Sequence, residues 1–227
     1  MQSQPTSGAT WHPIVPSHYL RVSDNIVAGF AQGQELAIWR NKEGAVQVWD
    51  NRCPHRGTRL TLGRIIDDRL SCAYHGWEFG ANGGKCTVIP AHPNAPAPKQ
   101  LCVKTFSAAE VDGMVWVSLA EPSPPPSAQD GADSSTARLF VRTLGVRATL
   151  AETKLVLEAT GLVATSSYVF QGQLAGHDVT VFLTEASNEL LFTHVWQDGP
   201  DEASLPMVFK AAEKLRTVIE AQTPQRS

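Results

Sequence analysis

Residues 50–57 read DNRCPHRG and residues 71–80 read SCAYHGWEFG, and these two stretches decide what the first half of the chain can be. Each contains one cysteine, one histidine and a glycine shortly after the histidine. One residue separates cysteine from histidine in the first stretch, two in the second, and sixteen residues lie between the pairs. A one-residue spacing suits a tight loop and not a helix face. We therefore predict two loops that hold one metal centre from both sides.

The four predicted ligands are Cys53, His55, Cys72 and His75. Thiolates are soft donors and neutral imidazoles are intermediate ones, so the set suits zinc or iron. A single zinc ion accepts two of each in a tetrahedron. A two-iron, two-sulfide cluster places both cysteines on one iron and both histidines on the other. The donor set alone leaves both centres open.

The residues beside the predicted ligands favour the cluster. Gly57 and Gly76 follow the histidines and allow the backbone to turn close to the centre and direct N–H groups at sulfur. Tyr74 and Trp77 are predicted aromatic walls that limit the access of water. A zinc finger would be expected to present its second ligand pair on a short helix, whereas AYHGWEFG predicts strand and turn. Spacing and flanking residues together indicate the cluster over zinc.

The chain as a whole has the composition of a globular protein. It has 227 residues, of which 42% are hydrophobic and 18% are charged, enough to bury a substantial core. A net charge of -3 without a basic run gives no reason to expect nucleic acid as a partner. No apolar run approaches the roughly 18–20 residues that a membrane helix requires, so no membrane partner is expected.

The N-terminus and the cysteines predict the compartment. Residues 1–10, MQSQPTSGAT, lack the basic region and apolar run of a signal peptide and predict a disordered tail. We therefore expect a cytoplasmic protein. In that reducing compartment the four cysteines are better explained by metal binding than by disulfides. Cys86 and Cys102 have no histidine nearby, so we predict ordinary small or buried residues there.

Residues 11–121 predict an all-β domain. Short strand-like runs alternate with Gly- and Pro-rich turns, and no long helical period occurs. The predicted strands are ELAIWRN and VQVWDN, which form a hairpin across KEG, and the runs RLSCAYH, KCTVIP and MVWVSLA. The proline-rich stretch 89–98, IPAHPNAPAP, is stiff enough to lie over a site as a lid.

Two further segments follow the all-β domain. Residues 122–137 are rich in Pro, Ser, Asp and Ala with little apolar bulk, which predicts a linker. Residues 138–227 predict a small α+β domain with an antiparallel sheet. Its predicted strands are LFVRTLGVRATL, KLVLEAT, SSYVFQGQL, HDVTVFLTEA and ELLFTHVW.

A C-terminal helix completes that domain. We predict Ser204 as its N-cap and Pro224 as its stop. Apolar residues at three- and four-residue spacing predict one buried face. They are Leu205, Val208, Phe209, Ala212, Leu215, Val218 and Ile219.

CPHRG followed by CAYHGWEF resembles the Rieske signature of the ring-hydroxylating and demethylating non-haem iron oxygenases. The opening WHPIVPSHYL is similar to the start of the vanillate O-demethylase and methylxanthine N-demethylase branch. GGKCTVIPAHP and VDGMVWVSL resemble a following segment and the closing strand of the same domain. The resemblance covers residues 11–121 and implies an all-β Rieske domain of antiparallel sheets with a cluster-binding subdomain.

The resemblance also implies a cofactor and its ligands. It implies a [2Fe-2S] cluster with Cys53 and Cys72 on one iron and with His55 and His75 on the other. Neither loop contains a disulfide-forming cysteine, unlike the respiratory Rieske proteins, which again favours the oxygenase systems. Such a centre transfers one electron, and histidine ligation makes it easier to reduce than an all-cysteine cluster.

Oxygenases of this family also bind a mononuclear iron in a helix-grip domain, through two histidines one helical turn apart and a distant carboxylate. After residue 121 the histidines are His177 and His194, with sixteen residues between them in strand-like runs. His177 and Asp178 are neighbours on a strand and point to opposite faces. His194 lies between apolar residues, as a structural histidine does. We therefore predict that residues 138–227 are a truncated helix-grip domain whose iron-binding segment is missing.

Three functions follow from these observations. The favoured prediction is a Rieske electron-transfer component without catalytic residues of its own. It would accept electrons from an NAD(P)H-dependent flavin and iron–sulfur reductase and pass them to a separate mononuclear iron oxygenase subunit, in a trimer-like oligomer. The alternative is an oxygenase subunit that itself hydroxylates or demethylates a small aromatic or N-methyl substrate. The third is a binding or assembly module in which the cluster is structural or a redox sensor.

The alternative makes a geometric demand on the second domain. His177, His194 and a carboxylate would have to converge on one iron. Asp178 and Glu185 are the candidate carboxylates.

Overall fold

The computed structural model describes residues 11–120, 124–126 and 137–222. The chain divides into two compact units, one of Met1–Gly29 with Gln34–Pro126 and the other of Phe30–Gly33 with Ser127–Ser227. The predicted tail 1–10, most of the predicted linker 122–137 and the predicted helix stop at Pro224 lie outside the described residues. No helix in the described ranges is long and apolar enough to cross a membrane.

Strands dominate the described residues up to 120. They are β1 (Trp11–Pro16), β2 (Ile26–Ala31), β3 (Gln34–Arg40), β4 (Val46–Asp50), β5 (Arg64–Ile66), β6 (Arg69–Ser71), β7 (Glu78–Gly80), β8 (Cys86–Val88), β9 (Thr105–Val111) and β10 (Met114–Ser118). A six-stranded sheet has the order β1-β10-β9-β4-β3-β2, and a four-stranded sheet has the order β5-β6-β7-β8. The small sheet is an insertion between β4 and β9, which are themselves hydrogen-bonded neighbours.

The predicted hairpin is confirmed as β3 and β4, which pair antiparallel from Leu36 opposite Asp50 to Arg40 opposite Val46. The Trp39 and Trp49 side chains are fully buried. Their rings meet edge to face at 5.1 Å and 90°. Both belong to the apolar core that supports the four-stranded sheet, so the hairpin anchors that sheet to the rest of the unit.

The second unit contains an antiparallel sheet of order β11-β15-β14-β13-β12 and two helices. Its elements are β11 (Arg138–Val146), α1 (Leu150–Ala159), β12 (Val163–Ser166), β13 (Val169–Leu174), β14 (His177–Ser187), β15 (Leu190–Asp198) and α2 (Leu205–Gln222). The predicted fold class, an all-β domain followed by a small α+β domain, is confirmed.

The C-terminal helix packs as its sequence period predicts. Its buried residues are Val208, Ala212, Leu215 and Ile219. They share one core with alternate residues of the long strands, including Val179, Val181, Leu183, Leu191 and Val195. Each fully buried aliphatic side chain of this kind contributes about 1.5–3 kcal/mol through removal from water. This core therefore supplies the second unit with its main source of stability.

One predicted strand is wrong. KLVLEAT, residues 154–160, belongs to α1 and its C-cap and not to the sheet. The Thr149 hydroxyl accepts the Glu152 N–H, and the Glu152 carboxylate accepts the Thr149 N–H, so a complete capping box begins the helix. Val156 and Leu157 are buried on one helical face. The apolar residues of this segment therefore pack as part of a helix, and not as the alternating face of a strand.

The predicted N-cap of the last helix is also wrong. Ser204 ends a short 3-10 turn, Glu202–Ser204, and its hydroxyl donates to the Asp201 carbonyl oxygen at 2.8 Å. The Asp201 carboxylate accepts the Ala203 N–H at 3.1 Å and caps that turn. The α2 helix continues directly from the turn, so the capping residue lies three positions before the predicted one.

Candidate metal centre

Two loops with one backbone frame carry the predicted ligands. The Cys53 N–H donates to the Thr58 carbonyl at 2.8 Å, and the Cys72 N–H donates to the Trp77 carbonyl at 2.9 Å. The glycine four residues after each cysteine donates its N–H back to that cysteine's carbonyl, at 2.8 Å in the first loop and 3.0 Å in the second. The loops therefore have the same hydrogen bonds although their histidines occupy different positions.

The shared frame explains the two predicted glycines. Gly57 has φ +73° and Gly76 has φ +68°, the left-handed region that residues with a Cβ rarely adopt. Both lie at the fourth position after a cysteine, where the chain reverses to bring the loop back to its strand. Each loop reverses at its glycine. The histidine can therefore occupy the position just before the glycine or the one before that, without a change in the loop's hydrogen bonds.

The cysteines lie inside and the histidines lie outside. Cys53 and Cys72 are each 4% exposed and belong to the core that contains Trp49, Leu60 and Phe79. His75 is exposed and His55 is half-buried, with their ring centroids 4.8 Å apart. The structure thus brings the two thiols together and the two imidazoles together, the first pair buried and the second towards solvent.

In the loops, burial disfavours the charged forms of the cysteine and histidine side chains when no cation is bound. It raises the pKa of Cys53 to about 11, and the adjacent Cys72 thiol adds to the rise. The backbone N–H groups of His55 and Arg56 act in the opposite direction. The pKa of His55 is lowered, first by burial and then by the charges of His75 and Arg56. Neutral imidazole is the form that binds a metal, and a bound cation draws the proton from a thiol.

This donor arrangement fits a [2Fe-2S] cluster. Two imidazoles adjacent on one metal ion, with metal–nitrogen distances of about 2 Å, have centroids roughly 4–5 Å apart, and the histidine pair meets that condition. A buried thiol pair suits the inner iron, because the core excludes water from its sulfur ligands. The backbone N–H groups directed at Cys53 are the partners that a thiolate needs there.

Two aromatic rings fix the planes of the imidazoles. Trp77 stacks on His55 with centroids 4.1 Å apart and the planes 5° from parallel. Tyr74 stacks on His75 at 3.8 Å and 29°. Trp77 is half-buried, as expected of a wall, whereas the Tyr74 side chain is 61% exposed. Tyr74 therefore presents a surface at the outer side of the pair.

The predicted proline-rich lid, residues 89–98, lies against the second loop. A Cβ on Gly76 would meet the Pro90 ring carbon at 3.1 Å. Ile89 and Ala97 pack on the core of the four-stranded sheet, and the His92 N–H donates to the Ile89 carbonyl at 2.8 Å. The segment is thus pinned at both ends beside the site, with its middle exposed.

A turn that the sequence did not predict braces both loops. The Asn51 amide accepts the Thr61 N–H at 2.9 Å and donates to the Thr61 hydroxyl at 3.1 Å. On the other side, Gly63 lies so close to Ser71 that a Cβ would fall 2.2 Å from its carbonyl oxygen. Asn51 precedes the first loop and Ser71 the second, so residues 60–63 set the spacing between them. The one sequence signal was the glycine itself.

The other two cysteines lie outside the candidate site. Cys86 is buried, with its sulfur 3.8 Å from the Val88 carbonyl oxygen. Cys102 is exposed, with its sulfur 3.7 Å from the Lys99 carbonyl oxygen. Each makes one weak thiol contact with the backbone, as an ordinary cysteine does.

His194 in the second unit has both ring nitrogens engaged. It is 2% exposed, and its Nδ1 lies 2.7 Å from the Thr143 hydroxyl. Its Nε2 lies 2.9 Å from the Thr184 hydroxyl. This is the structural histidine that its apolar neighbours predicted.

The other residues of the alternative iron site do not join it. His194 pairs with Phe182, five residues along β14 from His177, a distance of about 17 Å at the rise of a strand. Asp178 accepts the Gln173 side-chain amide at 3.0 Å. In the part of the chain that the structure describes, no three His, Cys, Asp or Glu side chains gather as ligands of one ion. The convergence that the alternative required is not formed.

Comparison with known proteins identifies the first half of the chain. Residues 10–107 match the Rieske [2Fe-2S] domain. Oxidoreductase NdmD of Pseudomonas putida is 44% identical over 112 residues, which are 49% of this chain and 19% of that protein. Methylxanthine N1-demethylase NdmA of the same species is 41% identical over 113 residues, 48% of this chain and 32% of NdmA. The matched segment spans a third or less of each relative.

Solved structures extend the likeness in fold to nearly the whole chain. A theobromine complex of an NdmA mutant gives a TM-score of 0.76 at 17% identity, over 96% of this chain and 82% of that chain. Apo dicamba monooxygenase gives 0.75 at 18% identity, over 96% and 87%. The chain therefore contains a Rieske [2Fe-2S] domain similar to those of NdmD and NdmA, and its cofactor is a [2Fe-2S] cluster. The predicted family resemblance and cofactor are confirmed.

Proposed function

We propose that this Rieske domain makes the chain an electron-transfer component of an oxygenase or demethylase system. Cys53 and Cys72 bind one iron through their thiolates, and His55 and His75 bind the other. The observation that supports this most is the arrangement of a buried thiol pair beneath an imidazole pair that faces solvent. With these ligands the histidine-bound iron would lie next to the surface, where a redox partner can approach it.

When bound, the cluster supplies one-electron chemistry. The chain's own residues define the environment in which it works. The core around Cys53 and Cys72 excludes water from the inner ligands. Trp77 and Tyr74 hold the imidazole planes, which keeps the outer ligands oriented as the charge of the site changes.

The proposed partners are other redox proteins. We propose an NAD(P)H-dependent flavin and iron–sulfur reductase as the donor and a mononuclear iron oxygenase subunit as the acceptor. The relatives support this, since NdmD is named an oxidoreductase and NdmA a demethylase. The second unit supports it as well, because both nitrogens of His194 are committed to threonine hydroxyls.

An oxygenase that acts on substrate itself is the second candidate. The likeness in fold to NdmA and dicamba monooxygenase over 96% of this chain favours it. The separation of His177 from His194 opposes it. A truncated helix-grip domain accounts for both observations, since the sheet and helices are kept while the ligands do not meet.

Anaerobic electron transfer tests the proposal. The reconstituted chain is mixed with NAD(P)H and a flavin and iron–sulfur reductase, and the cluster's visible absorbance is followed. An oxidised mononuclear iron oxygenase subunit is then added. We expect reduction and then reoxidation of the chain, both unchanged in His177→Ala. Formation of hydroxylated or demethylated product by the chain with reductase and oxygen alone would overturn the proposal in favour of the second candidate.

A further inference from the structure

The two metal-binding loops and the residues between them are strongly basic within an acidic chain. Residues 51–76 contain five arginines and two aspartates, without lysine or glutamate, whereas the whole chain has a net charge of -3. Such asymmetry is not explained by solubility, which a mixed surface satisfies. It gives the segment that carries the candidate centre more positive than negative charge.

Two of these arginines have ion-pair partners that serve the fold. Arg59 pairs with Glu35 at 2.7 Å, and Arg69 pairs with Glu78 at 2.6 Å. Arg52 and Arg56 are exposed and form no salt bridge among the described residues, although the charge of Arg52 acts on the Glu35 carboxylate. Arg52 precedes Cys53, and Arg56 follows His55. Their charges therefore lie where the first loop begins and next to its histidine.

The cluster itself does not need both charges. A [2Fe-2S] centre with two thiolates and two neutral imidazoles is formally neutral when oxidised and carries one negative charge when reduced, because imidazoles replace two of the thiolates of an all-cysteine site. Positive charge on the loops thus exceeds what the centre can neutralise in its oxidised state. The excess is directed to solvent, where it acts on molecules that approach.

An exposed aromatic side chain completes the surface. Tyr74 is 61% exposed and stacks on His75, so a partner that covers Tyr74 also covers the imidazole edge. Tyrosine and arginine are the residues enriched in protein interfaces, where an aromatic ring provides contact area and a basic rim provides orientation. We call Arg52, Arg56 and Tyr74 the loop-tip surface.

We propose that the loop-tip surface docks an acidic redox protein, with Tyr74 at the centre of the contact and Arg52 and Arg56 at its rim. This inference rests on the proposed electron-transfer function and adds the charge and the position of the partner. The acidic partner is drawn in by the arginines and comes to rest over the imidazole pair, where the path to the histidine-bound iron is shortest.

The test uses a reduced plant-type [2Fe-2S] ferredoxin as the acidic probe. Stopped-flow rates of reduction of the holoprotein are measured anaerobically between about 10 and about 150 mM ionic strength, over which the screening length falls from about 30 to about 8 Å. We expect the rate constant to fall at least about tenfold across this range, as electrostatically steered association does. A basic acceptor, cytochrome c, should show the opposite dependence.

Matched variants locate the surface. At about 10 mM ionic strength, the double variant Arg52→Gln with Arg56→Gln should be reduced by ferredoxin about tenfold more slowly than wild type. The pair Arg52→Lys with Arg56→Lys keeps the charge and should stay within about twofold. Arg21→Gln removes an exposed arginine that is already paired with Asp24 at 2.7 Å and should also stay within about twofold.

Binding provides a second readout that does not depend on turnover. The dissociation constant of oxidised ferredoxin, measured by titration calorimetry, should rise about tenfold in the glutamine pair and several-fold in Tyr74→Ala. Equal affinity of the glutamine pair and the Arg21→Gln control would overturn the inference. So would tight binding of duplex DNA or phosphatidylserine vesicles that the glutamine pair abolishes while ferredoxin rates stay the same.

Failure of the inference and failure of the proposed function give different results. Electron exchange with ferredoxin that is independent of salt and of both arginines would overturn the docking surface alone. A holoprotein that dithionite reduces but that exchanges electrons with neither ferredoxin nor cytochrome c at any ionic strength would overturn the electron-transfer function, and the docking surface with it.

Discussion

The four-stranded sheet of the first unit and the five-stranded sheet of the second differ in what holds them together. Strands β5 to β8 are three residues long, and their core includes the two cysteines of the candidate site. Strand β14 has eleven residues and β15 has nine, and alternate side chains pack on α2. Three-residue strands bury little surface and depend on what is bound between their loops. The second unit depends mainly on apolar burial.

The two sheets differ in whether a bound cluster is expected to replace part of the apolar core. In the small sheet we expect metal binding and folding to be coupled, because the thiolates must be brought together against a pKa that burial raises for Cys53. In the large sheet, both ring nitrogens of His194 are hydrogen-bonded to threonine hydroxyls, so this histidine needs no metal ligand role. Changes at the first should therefore affect the cluster, and changes at the second should affect only stability.

The largest expected effect comes from His75→Ala. Loss of one ligand from an exposed pair should abolish the cluster, so iron and acid-labile sulfide should fall to background. Hydrogen exchange should show loss of amide protection in residues 53–58 and 72–77, with the five-stranded sheet unchanged. His177→Ala is the control and should retain full cluster content. Wild-type iron and sulfide in His75→Ala would refute the ligand assignment.

Gly63→Ala should be next in size. Its Cβ would fall 2.2 Å from the Ser71 carbonyl oxygen, so the brace between the loops must move. We expect a loss of about 2–3 kcal/mol in the free energy of unfolding of the first unit, together with reduced cluster content. Gly80→Ala in β7 is the matched control, since its nearest contact would be an ordinary 3.5 Å from Thr87. Equal urea midpoints for the two variants would show that the brace is not needed.

Thr149→Ala tests the other side of the comparison. It removes the capping box of α1 and should lower the free energy of unfolding of the second unit by about 1 kcal/mol. Cluster content and the visible spectrum should not change. Thr149→Ser keeps the hydroxyl and should restore most of the stability measured by urea denaturation. A drop in bound iron in Thr149→Ala would contradict the independence of the two sheets.

The smallest effect concerns the six-stranded sheet and pH. Arg40 donates to both carboxylate oxygens of Glu110 and holds the pKa of that carboxyl below its ordinary value. A lowered native pKa stabilises the fold at pH values above the unfolded-state pKa, and this contribution is lost as pH falls through the native value. We expect Glu110→Gln to cost about 0.5 kcal/mol at pH 7, since the carboxylate is partly exposed. The difference from wild type should shrink at an acid pH where the Glu110 carboxyl is protonated.

Urea denaturation at the two pH values measures this difference. Glu213→Gln removes an exposed carboxylate on α2 and should show no such pH dependence. A Glu110→Gln deficit that persists undiminished at the acid pH would exclude the ion pair as its cause.

The two loops of the candidate site were predictable from sequence because the residues that shape each loop are close together in the chain. The cysteine–histidine spacings and the glycines at the fourth position define loops whose hydrogen bonds stay within six residues. The C-terminal helix was predictable for a similar reason, since its apolar period repeats over several turns. Local patterns of this kind determine the structure without reference to the rest of the chain.

The wrong predictions concern short segments whose structure is set by capping residues or by tertiary contacts. KLVLEAT alternates like a strand, but the capping box that begins three residues before Glu152 commits it to a helix. That signal, Thr149 with Glu152, was in the sequence and outweighs alternation over so few residues. The brace at residues 60–63 had no comparable signal, because the Asn51 and Ser71 contacts join residues ten and eight positions away. Tertiary contact, and not propensity, sets it.

Iron and acid-labile sulfide per chain, measured together with the EPR spectrum of the dithionite-reduced protein, decide whether the chain carries a Rieske cluster and no further iron. We expect two irons, two sulfides and a Rieske-type signal that is absent from His75→Ala. A third iron, silent in that spectrum but detected after addition of nitric oxide, would mean that the chain holds an oxygen-activating site and would contradict its role as an electron carrier. Zinc without sulfide would contradict the redox function altogether.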